Sequence, residues 1–179
     1  GRMIHQKNGE LDFQPYSMNA EEYINSVSRS ELNKILITAA EDTGKVNIHF
    51  SHALSSIQDN QLEFENSHKV EIENEIIGAD GSGSVVRKYI DSNCDLPSTA
   101  KPLGHAYKEL NIAPGKNGDF QINANSLHIW PRGQFMLIGL PNTDRSFTCT
   151  LFMPNEGDVS FESLKTEADV VDFFNTHFS

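Results

Sequence analysis

The stretch EIIGADGSGSVVRKYI, residues 75–90, places an apolar pair, three glycines and a helical run next to one another. Ile76 and Ile77 predict the end of a buried strand, and the run after the last glycine repeats its apolar residues at helical spacing. A strand, glycines and a helix in this order are typical of a loop that binds phosphate. A plain strand-to-helix turn needs the same order, so the stretch leaves both interpretations open.

The composition indicates a globular domain with an acidic surface. The chain has 179 residues, 25 of them acidic and 14 basic, and its formal net charge is −11. This charge argues against nucleic acid and anionic membranes as partners. Cys94 and Cys149 have no second ligand at zinc spacing, so no metal site is predicted. No apolar run approaches the roughly 18 residues of a membrane span, and none is predicted.

Turn and capping patterns predict the first and last elements. Asn8-Gly9 favours a hairpin near the start of the chain. Ser28 with Glu31, and Thr166 with Asp169, have the spacing of helix capping boxes. The first of these helices begins with Arg29, a cation at the positive end of the helix dipole, which is unfavourable unless an anion lies nearby.

Short strands are predicted between these helices. Residues 46–77 suggest an antiparallel meander made of VNIHF, HALSSIQ, QLEFEN and KVEIENEIIGAD. Residues 119–154 contain FMLIGL and SFTCTLFM, joined by a polar turn, and these two segments should pair.

The glycine loop fits neither of the two common phosphate-binding patterns. Val86 occupies the place of the third glycine in G-x-G-x-x-G, and the Lys-Ser/Thr pair of the Walker loop is missing. What remains is a glycine-rich turn with Asp80 before it and Ser84 as a candidate helix cap. From these residues alone, a ligand loop and a purely structural turn stay equally open.

Several stretches along the chain form an ordered set: GRMIH, SVSRSELNKILITAAE, YKELNI, LHIWPRGQFMLIGLPN and SFTCTLFMPNE. The glycine loop adds the pattern G-x-D-G-x-x-S-x-V-R at residues 78–87. In this order the stretches resemble the kynurenine 3-monooxygenase family of FAD-dependent aromatic hydroxylases, and the glycine pattern is similar to the second flavin/NADPH motif of that class.

The resemblance implies an oxidoreductase of tryptophan catabolism and NAD biosynthesis that uses FAD and NADPH to hydroxylate L-kynurenine to 3-hydroxykynurenine. It implies an α+β fold with a mixed substrate-side sheet, helices and part of a Rossmann-like FAD-binding domain, the N- and C-terminal parts of the family being absent. We expect a partial FAD-binding region at residues 1–95 and a substrate-binding sheet and helix at residues 96–179. The isolated segment is expected to be inactive and to bind neither cofactor well.

Two sets of site residues follow from the resemblance. Arg2 and Tyr16 would hold the carboxylate of the substrate, which suits a guanidinium fork and a phenol hydroxyl. The apolar and hydroxyl residues of the strand pair would form the floor and wall for the aromatic ring: Leu127, Met136, Ile138, Leu140, Thr150 and Phe152. Alternation would then direct His128 and Trp130 to the face opposite Leu127.

The cofactor residues that the resemblance implies begin with Arg29, whose missing anion would be the FAD pyrophosphate. Leu54 and Asp80 would line the flavin, together with Gly81 and Val85 of the glycine loop. No catalytic side chain and no metal ligand is implied. The segment from Tyr16 to Arg29 is about one residue longer than the family pattern, which leaves its loop shape open.

Other interpretations remain at this point. Arg2 and Tyr16 require only a carboxylate on the ligand, so a related flavin hydroxylase of another aromatic acid is one alternative. A non-catalytic α+β binding module is a second. Apolar surface that would pack against the absent N- and C-terminal parts is expected to be exposed, and an exposed apolar patch favours dimers. We expect a cytoplasmic protein if the source is bacterial; eukaryotic family members lie on the mitochondrial outer membrane through a segment absent here.

Overall fold

Two sheets and three α-helices make up the computed structural model, which describes residues 1–19, 21–95 and 98–178. The chain divides into a large unit, residues 1–35 and 102–179, and a small unit, residues 36–101. The predicted α+β class is confirmed, while the Rossmann-like part remains a prediction.

The large unit is built on a six-stranded sheet. Its strands are β1 (Arg2–His5), β2 (Leu11–Gln14), β6 (His105–Ile112), β7 (Leu127–Arg132), β8 (Phe135–Pro141) and β9 (Phe147–Pro154). Their order across the sheet is β2-β1-β7-β8-β9-β6. Strand β1 runs parallel to β7, and the other neighbours are antiparallel. The predicted pairing of FMLIGL with SFTCTLFM is therefore confirmed.

One face of this sheet forms the core of the large unit, and we name it the closed face. Alternate residues of β8 and β9 point there, and Phe147 and Met153 are both 0 % exposed. Helix α3 (Glu167–Phe178) contributes Phe173 to the same cluster. The other buried members are Phe135, Leu137, Cys149 and Leu151. Because strand side chains alternate, the remaining residues of β8 and β9 lie on the other side of the sheet.

The predicted hairpin and the predicted capping box of the last helix are present in the structure. Strands β1 and β2 flank the Asn8-Gly9 turn, where Gly9 has a φ of +86°. Helix α3 has a full capping box: Asp169 N donates to Thr166 Oγ1 at 3.2 Å, and Thr166 N donates to Asp169 Oδ2 at 2.8 Å.

Helix α1 (Arg29–Asp42) begins at the predicted residue, but only half of its predicted capping box forms. Glu31 N donates to Ser28 Oγ at 3.4 Å, while the Glu31 carboxylate accepts from Lys34 Nζ at 2.8 Å. Its apolar residues Leu32, Ile35 and Leu36 are exposed.

The small unit contains the antiparallel sheet β3 (Leu54–Gln58), β4 (Gln61–Phe64) and β5 (Lys69–Glu71), followed by helix α2 (Val85–Asn93), which packs against β3. Two predicted strands, VNIHF and the EIIGAD end of the last strand, are wrong. Ile77, expected in a buried strand, is 91 % exposed. Residues 75–80 pair with no strand in the described part of the chain, and a strand forms only where a neighbour completes its hydrogen bonds.

Strand β6 was not predicted, because HAYKELNI mixes charged and apolar residues without strict alternation. The compact units also divide the chain differently from the functional regions 1–95 and 96–179, since β1 pairs with β7. That functional division remains a prediction. Among the described residues, no helix has the length and hydropathy needed to cross a membrane.

Candidate functional site

The face of the six-stranded sheet opposite the closed face, which we name the open face, carries most of the predicted substrate residues. The sheet register places Arg2 beside Leu127, Ile138 beside Thr150, and Met136 beside Phe152. Leu140 lies beside Thr148 on the same face. Seven of the eight predicted substrate residues therefore share one face: Arg2, Leu127, Met136, Ile138, Leu140, Thr150 and Phe152.

The alternation expected in β7 holds. Leu127 belongs to the open face, whereas His128 and Trp130 lie on the closed face, where His128 is 1 % exposed and packs edge-on against Phe147. The open face is less covered, since Met136 is 37 % exposed. Apolar residues on this less covered face can contact a ligand, whereas those on the closed face are buried and cannot.

Tyr16, the eighth predicted residue, lies next to Arg2. The guanidinium carbon of Arg2 is 5.7 Å from the centre of the Tyr16 ring, within the range of a cation–π contact. No ion pair of Arg2 is found in the described parts of the chain. Tyr16 lines a groove of about 410 Å³, together with Gly1, Leu127 and Leu140. The guanidinium and the phenol are thus two neighbouring donors at one end of the open face.

Arg29 lines a second groove of about 490 Å³ in the same unit. Ile138, Leu140 and Thr150 form part of its wall, and the serines around the start of α1 form another part. The two grooves share Ser26 and Leu140. The groove of Tyr16 and the groove of Arg29 therefore adjoin along the open face.

The polar residues of the second groove that the sequence did not reveal include Glu109, Asn142 and Thr148. Glu109 pairs with Thr150 across β6 and β9. Asn142 Nδ2 donates to Thr148 Oγ1 at 3.0 Å and to Ser146 Oγ at 2.9 Å, which fixes the end of β8. Thr148 alternates with the predicted Thr150 and could have been found from that spacing; Glu109 could not, because its strand was missed.

The glycine loop of the small unit is an internally bonded helix start. Asp80 accepts hydrogen bonds from Ser84 Oγ at 2.5 Å and from Val85 N at 2.7 Å, and Ser84 Oγ accepts from Arg87 N at 2.9 Å. The Ser84 hydrogen bond, followed by those from the backbone, holds the pKa of Asp80 below its ordinary value. The predicted cap Ser84 is confirmed, and the Asp80 carboxylate serves the N-terminus of α2.

The structure explains why two positions of this loop are glycine. Gly81 has a φ of +77°, which side chains other than glycine rarely adopt. A Cβ on Gly78 would lie 2.8 Å from Cβ of Val86, so a side chain there would push α2 away. The structural interpretation of the opening stretch therefore accounts for Asp80, Gly81 and Gly78. Leu54 opens β3 in the same unit, half-buried like Val85.

In the described residues no group of histidine, cysteine and acidic side chains could hold a metal ion.

No family model matches the chain, but curated relatives do. The chain is 45 % identical to kynurenine 3-monooxygenase of Myxococcus xanthus, 44 % to that of Dictyostelium discoideum and 41 % to that of Sus scrofa. Each match covers 99 % of this chain and 38–40 % of the relative, so the chain spans about two fifths of their length.

Solved structures share the fold at low sequence identity. One is Klebsiella pneumoniae HpxO complexed with FAD and uric acid, with a TM-score of 0.59 at 14 % identity over 99 % of this chain and 45 % of that one. Another is tetracycline destructase Tet(51), with a TM-score of 0.58 at 18 % identity over 99 % and 44 %. Throughout its length, the chain is related to a segment of the kynurenine 3-monooxygenase family.

Proposed function

We propose that this chain is part of an NADPH- and FAD-dependent monooxygenase that hydroxylates L-kynurenine to 3-hydroxykynurenine. One observation carries the proposal: seven of the eight substrate residues that the family resemblance selects share one face of one sheet. Two adjoining grooves lie along this face; Arg29 lines one of them, and Arg2 lies next to Tyr16 of the other. The relatives named kynurenine 3-monooxygenase, aligned along the whole chain, support the same reaction.

Arg2 and Tyr16 would bind the carboxylate of the amino-acid substrate. Arg2 is exposed, and its guanidinium lies over the Tyr16 ring, which limits the directions it can take. A planar guanidinium can donate two parallel hydrogen bonds to a carboxylate, and a phenol hydroxyl can add a third. This end of the open face would therefore orient the substrate.

The apolar part of the open face would hold the aromatic ring. Ile138 and Leu140 lie between the Arg2 end and the hydroxyl of Thr150, and Met136 extends the surface along β8. Such an apolar floor would exclude water from the aromatic ring of the substrate. The contact of the substrate carboxylate with Arg2 and Tyr16 would then orient that ring. The side chains would thus position the ring rather than react with it.

The residues around Arg29 fit an anionic cofactor. Arg29 begins a 14-residue helix, where the backbone N–H groups favour negative charge. Ser28 and Ser30, whose hydroxyl oxygens lie 2.9 Å apart, line the same groove, while the Ser26 hydroxyl already donates to the Pro141 carbonyl. This donor set suits the FAD pyrophosphate. Bound there and reduced by NADPH, the flavin would supply the oxygen-activating chemistry, while these residues would hold its pyrophosphate.

Leu54, Asp80, Gly81 and Val85 remain our candidates for the flavin and NADPH side of a Rossmann-like region within residues 1–95, with the substrate sheet at 96–179. For Asp80 we infer an indirect role in cofactor binding, because its carboxylate already caps α2.

The exposed apolar residues of α1 support our proposal of self-association. We propose that the protein lies in the cytoplasm if its source is bacterial and on the mitochondrial outer membrane if its source is eukaryotic.

The test is to express the complete gene product that contains this chain and to measure kynurenine-dependent NADPH oxidation. We expect bound flavin in the absorption spectrum and 3-hydroxykynurenine by mass spectrometry. NADPH oxidation without this product would refute the substrate, and a colourless protein would refute the flavoenzyme assignment.

A related flavin hydroxylase of another aromatic acid is the alternative that Arg2 and Tyr16 allow, because both need only a carboxylate. A comparison of kcat/KM for kynurenine and hydroxybenzoates separates the two. Values for hydroxybenzoates equal to or above that for kynurenine would favour the alternative.

A further inference from the structure

The hairpin that carries Arg2 is joined to the rest of the sheet over a short distance. Strand β1 pairs with β7 at three positions only: Arg2 with Leu127, Met3 with His128, and Ile4 with Ile129. One further backbone bond, from Leu127 N to Gly1 O at 3.0 Å, lies beside this ladder. On its other side β1 meets β2, whose residues are exposed. The position of Arg2 therefore depends on a small number of contacts.

A histidine pair reinforces this junction on the closed face. His5 Nε2 lies 2.7 Å from His128 Nδ1, and His128 Nε2 lies 2.7 Å from the carbonyl oxygen of Asn123. Because a carbonyl can only accept, His128 carries its proton on Nε2, and its Nδ1 accepts. His5 then donates from Nε2, so the two rings form a directed chain of neutral imidazoles that ends on the backbone.

Other groups keep His5 in place. Its ring stacks on Trp130, with centroids 4.1 Å apart and planes 20° apart. Arg132 Nη1 donates to the His5 carbonyl at 2.9 Å, and Arg132 Nε donates to the carbonyl of His177 in α3. Burial, and then the charges of His128 and Arg132, lower the pKa of His5 to about 4. The pair therefore stays neutral, and keeps its hydrogen bond, near neutral pH.

We propose that the hydrogen bond from His5 to His128 positions Arg2 for the substrate carboxylate. This inference rests on the proposed function. His5 and His128 lie on the closed face, while Arg2 and Leu127, which precede them on the same two strands, lie on the open face. Without the bond, β1 is joined to the sheet only by its three-position ladder, the backbone bond from Leu127 to Gly1 and the contacts of His5 with Trp130 and Arg132. Arg2 is then held less firmly beside Tyr16. The floor on β8 and β9 does not depend on this bond.

Three variants of the complete gene product test the role. His5→Phe keeps an aromatic ring against Trp130 but has no donor for His128. His5→Gln places an amide N–H near the position of Nε2 and so restores a donor. His105→Phe makes the same change at an exposed position of β6, the opposite edge of the sheet, and is the matched control.

We expect His5→Phe to raise KM for kynurenine roughly tenfold or more while kcat changes less than about threefold, the size of one lost charge-assisted contact. His5→Gln and His105→Phe should both stay within about threefold of the wild-type KM. An unchanged KM in His5→Phe, or an equal rise in His5→Gln, would overturn the proposal, because the hydrogen bond would then not be the cause.

Amide hydrogen exchange tests the anchor without any activity. Residues 2–5 should exchange roughly tenfold faster or more in His5→Phe, while β8 and β9 keep their protection. If the wild-type protein does not hydroxylate kynurenine, the proposed function fails, yet this measurement still decides the anchor. Unchanged exchange in β1 would overturn it.

Discussion

The two faces of the six-stranded sheet carry similar alternating side chains but lie in different environments. On β9, Phe147, Cys149, Leu151 and Met153 are almost fully buried, whereas Phe152, from the same strand, is half-buried. The difference comes from α3, which packs Phe173 into the cluster on the closed face. Apolar alternation alone therefore tells the two faces apart but does not tell which of them is the core.

Matched substitutions on β9 should give the largest contrast between the faces. Phe147→Ala should lower the free energy of unfolding by about 3–5 kcal/mol, because it leaves a cavity in the closed core. Phe152→Ala should cost much less stability and should mainly raise KM for kynurenine. Urea denaturation of both variants measures the first effect. Equal losses of stability would mean that the open face is core as well.

Removing the charge at the end of the open face should have the next largest effect. Arg2→Gln should raise KM for kynurenine about 10- to 100-fold, which corresponds to the loss of about 1.5–3 kcal/mol from hydrogen bonds to a charged group. Arg145→Gln is the control: Arg145 lies in the same unit, but its ion pair with Asp119 is exposed. If both variants behave alike, Arg2 is an ordinary surface arginine.

The smallest expected effect is a pH dependence that comes from the closed face. The pKa of His5 falls from 6.5 to about 4 on folding, through burial and the charges of His128 and Arg132. As pH falls through this window, the unfolded chain takes up a proton before the folded one does, so stability decreases. Because the ring is partly exposed, we expect a loss of about 1 kcal/mol.

Urea denaturation between pH 7 and pH 4 measures this loss, and His5→Gln, which does not titrate, should show a flatter profile. Asp80, Asp144 and Asp169, whose pKa values are lowered by hydrogen bonds, lose their contributions only at lower pH. A wild-type profile identical to that of His5→Gln would contradict the shifted pKa.

Much of the fold could be predicted wherever local chemistry decides it. Asn8-Gly9, Thr166 with Asp169, and Ser84 each act within a few residues, and each forms as expected. Predictions failed where an element needs a distant partner. Ile76 and Ile77 have the composition of a strand but no ladder in the described structure, while the charged strand β6 forms because β9 completes it.

The substrate residues show the same division. Their spacing on β8 and β9 indicated a shared face, and only the family resemblance selected that face as a binding surface. Glu109 and the His5–His128 pair were not found from the sequence, because they depend on strands that lie far apart in the chain.

Caps, turns, strand alternation and the relation to a family follow from the amino-acid order without knowledge of the fold, because they depend on neighbouring residues or on direct comparison. Which sheet face is sealed, which strands pair, and the placement of Arg2 beside Leu127 become known only from the folded molecule. These outcomes depend on which elements pack together, and residues more than 100 positions apart along the chain meet only once it is folded.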